Sequence, residues 1–331
     1  MKTTLYSNHS CKIIPIPCST KLRTGVTLAE AAESWQIQAR PRLKQSTASI
    51  YGGILRAHIL PAFGALPVSE LTGPRIEAFL TDKAQILAPR TVGNISTVLH
   101  AILEHAQASG WFTGLPAWVT PSDKGGKTTE VLTAREKKRL VEHLINNISA
   151  NTHVDESFGL LLCLYTGMRL GEICALQWGD ISKKGAIRIR RTVQRISDPD
   201  RPGSTVVIFD SPKSESSNRI IPMPLFLRKL VEGVRKGEAC FVLTGTEQYI
   251  EPRTMQNHFK STLRKCGLRE INFHAIRHTF ATDCVGAGFD PKTLSSILGH
   301  ADVSITLNTY VHPSFDIKRK FMDKLRPGIS I

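Results

Sequence analysis

The sequence predicts a mainly α-helical chain with a small antiparallel β-sheet, an α+β fold built in two parts. Three observations carry this. Apolar residues recur at helical spacing along most of the chain, and short β-branched runs are confined to 186–222. A stretch rich in Gly, Pro, Lys and Thr separates two helical regions. A length of 331 residues agrees with about two domains, and 41% hydrophobic residues suffice for ordinary cores.

Taken in order, residues 1–25 read as a disordered or extended tail, too short to form a domain. At Val26 the pattern turns helical: Thr27 caps the run Leu28–Trp35, with Glu30 three residues on as in a capping box. A second helix runs from Ser46 to Leu60 and stops at Pro61, since proline cannot continue the ladder. Leu71–Ala84 and Thr91–Ala108 give two more, the last with Ile95, Val98, Leu99, Ile102 and Leu103 on one face. Residues 26–112 are thus a four-helix unit.

Residues 113–130 read as a linker. They contain Lys124-Gly125-Gly126-Lys127-Thr128, a fragment of a phosphate-binding loop. The complete motif needs an earlier glycine behind a strand. Pro121 and Ser122 stand there with no apolar run before them, so a flexible basic linker is the better reading.

Residues 131–331 form the second domain. Thr133 and Glu136 make another capping box, opening a helix to about Asn146. Ser157–Tyr165 is an apolar helix broken at Gly167. Strand candidates follow at Ala186–Val193, Thr205–Phe209 and Arg219–Pro222. Helices are then predicted at Leu225–Val234, Thr254–Cys266, His274–Val285 and Pro291–Leu298.

Charge narrows the function. With 43 Lys+Arg against 28 Asp+Glu, the chain carries a formal +15 and has a pI near 9.7, so a polyanionic partner is expected. No apolar run approaches the roughly 18 to 20 residues of a membrane span. Nor does the N-terminus hold a signal-peptide core, and the chain reads as cytoplasmic, with no membrane partner. Seven scattered cysteines without a C-x-x-C pair suit core packing, as at Cys163 and Cys174, better than disulfides or zinc.

Three clusters hold residues suited to chemistry. In Thr166-Gly167-Met168-Arg169-Leu170-Gly171-Glu172, a helix ends at a Gly turn and another begins beside Arg169, a place suited to a phosphate. Read alone, Arg169 is as readily a partner of Glu172, three residues on. In His274-Ala275-Ile276-Arg277-His278, the spacing puts His274, Arg277 and His278 on one helical face. Zinc is disfavoured, because no Glu adjoins the His pair and Arg277 sets a cation beside it. His278 is assigned to the core. The third cluster is Leu298-Gly299-His300, followed by Tyr310-Val311-His312. Taken alone, a tyrosine there is an ordinary half-buried residue.

In combination these motifs mean more. The chain resembles the tyrosine recombinase (phage integrase) family, of the mobile-element integrase type. That family's signature is T-G-x-R-x-x-E, then H-x-x-R-H, then L-G-H, with a Tyr about ten residues later; every element is present in order. The resemblance runs from Val26 to the end, since His58-Ile59-Leu60-Pro61-Ala62-Phe63-Gly64 looks like part of the family's core-site DNA-binding domain. It implies a helical core-binding domain, an integrase-type catalytic domain, and the catalytic set Arg169, Lys213, His274, Arg277, His300 and Tyr310. Lys213 is placed by Pro212-Lys213-Ser214-Glu215-Ser216-Ser217-Asn218-Arg219-Ile220-Ile221-Pro222. Ala275 departs from the Asp of many relatives while the His274–Arg277 spacing is kept.

The implied reaction cleaves and rejoins DNA through a 3′-phosphotyrosyl bond at Tyr310, with no metal and no ATP. The implied partners are double-stranded DNA at recombination sites, three further copies in a homotetramer on two sites, and an excisionase or DNA-bending protein. The two domains are expected to clamp the duplex, with Lys124 and Lys127 following its backbone and Phe315–Leu325 docking on a neighbouring protomer. A type I topoisomerase is the nearest rival; the Leu-Gly-His turn and the Tyr-x-His ending favour the recombinase. A DNA-binding protein with a dead site is the other, and the complete catalytic set speaks against it.

Overall fold

The computed structural model describes residues 25–121, 130–198, 201, 203–211, 217–310, 319 and 322. The tail before Gly25, linker residues Lys124 and Lys127, Lys213 and most of Phe315–Leu325 lie outside the described residues. The chain divides into two compact units, the first reaching Gly126 and including Ile196–Ser204, the second made of Lys127–Arg195 and Thr205 onward.

In the first unit, helix α1 (Leu28–Ala39) opens with the expected capping box: Thr27 Oγ1 accepts the Glu30 amide at 3.3 Å and Glu30 Oε2 accepts the Thr27 amide at 2.8 Å. Helix α2 (Gln45–Ile54) does not end at Pro61. It widens into a π-helical stretch, Leu55–Ile59, and runs on through α3 (Leu60–Phe63). There the Leu60 amide reaches back five residues to Leu55 O. A proline has no N–H and its ring collides with the carbonyl four residues back. The widened coil, with its bonds shifted by one residue, carries the helix past that obstacle.

Helices α4 (Gly73–Ile86) and α5 (Pro89–Ala108) complete the unit. The stripe Val92, Ile95, Val98, Leu99, Ile102 and Leu103 on α5 is fully buried and packs against α1, α2 and α4. At about 1.5–3 kcal/mol for each such side chain, it is the main source of the unit's cohesion. Leu115 and Trp118 of the following segment pack on the same core, with Trp118 Nε1 donating to Ser96 Oγ at 2.9 Å.

The second unit begins with α6 (Ala134–Ser149), opened by the Thr133/Glu136 box, and α7 (Val154–Thr166), which is buried almost all round. Cys163 and Cys174 lie in its core as expected. After the short helix α8 (Leu170–Cys174) come four strands: β1 (Ala186–Ile189), β2 (Thr192–Ser197), β3 (Thr205–Asp210) and β4 (Arg219–Pro222). Strand β1 pairs antiparallel with β4, from Ala186↔Pro222 to Ile189↔Arg219, and β2 pairs with β3. The run read as one strand, Ala186–Val193, is therefore two. It breaks at Arg190 and Arg191, both drawn onto buried Asp180 at 3.5 and 2.5 Å, so the small sheet becomes two two-stranded ribbons.

Helices α9 (Leu225–Val234), α10 (Pro252–Lys265), α11 (His274–Gly286), α12 (Pro291–Leu298) and α13 (Val303–Tyr310) follow. The sequence reading had no helix at α13, which packs on α11 and α12. No described helix is long and apolar enough to cross a membrane.

Candidate active site

The site is built where three chain segments meet: the Gly167 turn between α7 and α8, the start of α11, and the end of α12. Helix α7 ends because Gly167 adopts φ +64, where its amide still reaches Cys163 O at 3.0 Å. A side chain at this position is excluded twice over. The conformation disfavours it, and a Cβ would stand 2.5 Å from Phe280 Cδ1 and 2.8 Å from Leu298 Cδ2. This close approach leaves Gly167 O facing α11 and Arg169 facing the α12 terminus.

Helix α12 ends in the same way, with Gly299 at φ +66. A helix terminus leaves carbonyls without intrahelical partners. Here three successive ones each receive a guanidinium. Ile297 O accepts Arg219 Nε at 2.5 Å, Leu298 O accepts Arg277 Nη2 at 2.8 Å, and Gly299 O accepts Arg169 Nη2 at 2.8 Å. His300 is the next residue. Arg277, only 2% exposed, also donates to Gly167 O at 2.8 Å, so it ties the α7 and α12 ends together.

Glu172 supplies the negative charge. Its Oε1 accepts Arg169 Nη1 at 2.8 Å and Arg219 Nη1 at 2.9 Å; its Oε2 accepts the Arg169 amide at 2.8 Å and Arg219 Nη2 at 2.9 Å. Burial pushes the carboxyl's pKa up, but the bonds and charges of Arg219 and Arg169 outweigh it, and the group is held below its ordinary value.

The histidines are poised neutral. His300 is half-buried, and its Nδ1 lies 2.8 Å from Thr306 Oγ1 of α13. Burial, then the charges of Arg277, Arg169, Arg219 and His274, pull its pKa down to about 4. His274 opens α11 and is exposed. Crowding of its ring, then His278, Arg277 and Arg169, bring it also to about 4. His278, assigned to the core from the sequence, is only half-buried, edge-on to His274 with ring centroids 4.6 Å apart. Ala275, Ile276 and Arg277 are the buried members of this helix turn.

Of the six residues singled out in the sequence, Arg169, Arg277 and His300 are brought together through adjacent carbonyls, with His274 at their edge. Tyr310 is the last residue of α13, the helix that begins three residues after His300 and packs against α12. Lys213 lies outside the described residues, between β3 and β4. Sequence reasoning missed the work of Arg219, Thr306 and the three carbonyls. The signal for Arg219 was its place in the quoted Ser217-Asn218-Arg219-Ile220-Ile221-Pro222 run. Among the described residues, no group of three or more His, Cys, Asp or Glu is placed to hold a metal ion.

The mainly helical fold carries two arginines and two histidines around the end of α12, and comparison gives its family. The phage integrase family model matches residues 130–316, and the phage integrase N-terminal SAM-like domain matches 27–84. The chain belongs to the phage integrase family, the tyrosine recombinases, and is an enzyme of DNA strand transfer. A tyrosine recombinase XerC-like protein of Caldanaerobacter subterraneus subsp. tengcongensis is 27% identical over 87% of this chain and 79% of its own length. The transposase from transposon Tn916 of Enterococcus faecalis is 26% identical over 59% of this chain, which spans only 51% of that relative. Among solved structures, the Tn1549 transposon integrase in complex with transposon right end DNA shares the fold at a TM-score of 0.72 with 22% identity, covering 90% of this chain and 99% of that one. A lambda integrase tetramer bound to a Holliday junction does so at 0.62 with 19% identity, over 88% and 80%.

Proposed function

We propose that this chain is a site-specific recombinase that cuts and rejoins DNA through Tyr310 and so moves a mobile element into or out of a host molecule. The observation that carries this reading is the placement of Arg169 and Arg277 on consecutive carbonyls beside His300, one short helix before Tyr310. Two forked cations fixed by the backbone match a phosphodiester, whose charge gathers on the non-bridging oxygens in the transition state.

Arg169 and Arg277 hold those oxygens and His300 donates a further hydrogen bond. The Tyr310 oxygen attacks phosphorus, the P–O5′ bond breaks, and a 3′-phosphotyrosyl ester and a 5′-hydroxyl remain. A phenol of pKa near 10 is ionised in only about one molecule in a thousand at pH 7. His274, neutral at that pH, accepts its proton, and an incoming phosphate strengthens it as a base by offsetting the cations around it. Lys213 protonates the departing 5′-oxygen, a step that typically contributes about 10² to 10⁴ in rate. The ester conserves the energy of the original bond, so rejoining calls for neither ATP nor a metal ion.

In this reading, residues 26–112 grip the core site, 113–130 link, and 131–331 carry the chemistry and, through Phe315–Leu325, contact a neighbouring protomer. Four copies act on two DNA sites, with an excisionase or DNA-bending protein setting direction. The net charge of +15 suits a DNA-binding surface. The relatives support it: a transposon integrase on transposon-end DNA and a lambda integrase tetramer on a Holliday junction.

The test is a nicked substrate carrying the element's end sequence, which traps the covalent intermediate. Wild type is expected to give a slow-migrating protein–DNA band with EDTA present and nucleotide absent, and Tyr310→Phe none. A band from both proteins removes Tyr310 as nucleophile, and none from either, on DNA both bind, removes the reading.

A further inference from the structure

Arg219 is one of three arginines that seize consecutive carbonyls at the end of α12, yet the reaction just described gives it no work. It is buried, at 7% exposure, at the first position of β4, where pairing with Ile189 of β1 holds its backbone in a ribbon. Its fork meets both oxygens of Glu172 at 2.9 Å, while Nε reaches Ile297 O and Nη1 reaches Ser217 O at 3.3 Å. Each Glu172 oxygen thereby accepts one bond from Arg219 and one from Arg169, which fills the carboxylate's roughly four acceptor sites.

We infer that Arg219 is a positioning residue: through Glu172 it fixes Arg169, and through Ile297 it fixes the turn that carries His300. The inference rests on the reading of Arg169 as a phosphate clamp. The geometry explains why an arginine is needed. A lysine is a point donor and satisfies one carboxylate oxygen, whereas the fork satisfies two and sets the plane of the carboxylate. That plane decides where Arg169 Nη1 is held. With Arg219 gone, Glu172 can turn towards Arg169 alone and draw its guanidinium away from Gly299 O. Arg219 donates its described bonds inward, to Glu172, Ser217 and Ile297, so its effect on DNA is indirect.

Truncating Arg219 strands a buried carboxylate and threatens the fold, so the test uses Arg219→Lys, which keeps the charge, and Glu172→Gln with Arg219→Lys. Single-turnover formation of the covalent complex is measured at saturating protein, recording rate constant and amplitude separately, beside DNA affinity. For Arg219→Lys the expected result is a rate constant lower by about 10- to 100-fold, the scale of a small misplacement of a reacting group, with amplitude and DNA affinity within about 2-fold of wild type. Adding Arg219→Lys to Glu172→Gln should slow the reaction by clearly less than it slows wild type, because the two changes share the path through Glu172 and only the bond to Ile297 remains to be lost. An unchanged rate constant for Arg219→Lys, a loss confined to amplitude, or losses that multiply in the double variant would each overturn the inference. If wild type forms no covalent complex, the recombinase reading fails instead. The inference then still stands or falls on proton exchange at the Arg169 guanidinium, followed by NMR: faster exchange in Arg219→Lys supports it and unchanged exchange refutes it.

Discussion

Helices α6 and α8 open with the same local device, a glutamate at the third helical position reaching back to the cap, and they use it for opposite ends. At α6 the cap is Thr133. Glu136 accepts the Thr133 amide and hydroxyl, Thr133 accepts the Glu136 amide, and the box lies at the surface with Arg269 beside it. At α8 the cap is Arg169, whose side chain has donors only and cannot close the box. Glu172 accepts the Arg169 amide but spends its remaining capacity on two guanidiniums, in a pocket that leaves its side chain 3% exposed against 19% for Glu136. The i to i+3 pattern thus settles only where a helix starts. Burial and a partner from β4 decide whether its carboxylate serves the helix or holds a cation in place.

The contrast can be broken most sharply by removing the carboxylates. Glu172→Ala leaves Arg169 and Arg219 without their shared anion. Covalent-complex formation should fall by about 100-fold or more, and chemical denaturation should show a loss of about 3–5 kcal/mol. A variant that cleaves DNA at the wild-type rate would make Glu172 no different in kind from Glu136.

A pH series sharpens the same contrast without touching either box. His300 has a folded pKa near 4 against an ordinary 6.5, under burial and the charges of Arg277 on α11, Arg169 before α8, Arg219 on β4 and His274. Below pH 6.5 the unfolded chain takes up a proton that the folded chain refuses, so stability is lost as pH falls from 6.5 towards 4 and is level above. The two glutamates are held below their ordinary value of 4.5, so each adds its own loss only under that pH. His274, His278 and His105 titrate in the same direction as His300, which makes the useful quantity a difference between proteins. Between pH 7.5 and 5 the melting temperature of His300→Gln should decline less than that of wild type. Equal declines would mean that His300 is not held neutral by the site.

The smallest effect is expected at α6. Thr133→Ala should cost about 1 kcal/mol of stability, read as a lower melting temperature, while the cleavage rate constant at saturating DNA stays that of wild type. A slower rate constant would show that the surface box also reaches the chemistry.

What the sequence revealed follows the range of the interactions involved. The α5 stripe and the boxes at Thr27 and Thr133 depend on residues within one or two turns of each other, and they stand where periodicity and capping put them. The passage through Pro61 was not legible, because a proline signals a stop and the widened coil at Leu55–Ile59 leaves no mark in composition. The split between β1 and β2 depends on Asp180 reaching Arg190 and Arg191, and the pairing of Glu172 with Arg219 crosses 47 positions of sequence. Within the site, the motifs pointed to Arg169, Arg277 and His300, each beside a glycine or on a helical face. The carbonyls that aim the arginines carry no residue signature at all.

The grip of Arg277 on Gly167 O and Leu298 O has a consequence for how such a gene decays. Arg277 is a rivet between two helix ends, and its removal would leave buried carbonyls unanswered. Copies released from selection for strand transfer should therefore lose Arg277 late. An intact arginine is accordingly poor evidence that a descendant still cuts DNA.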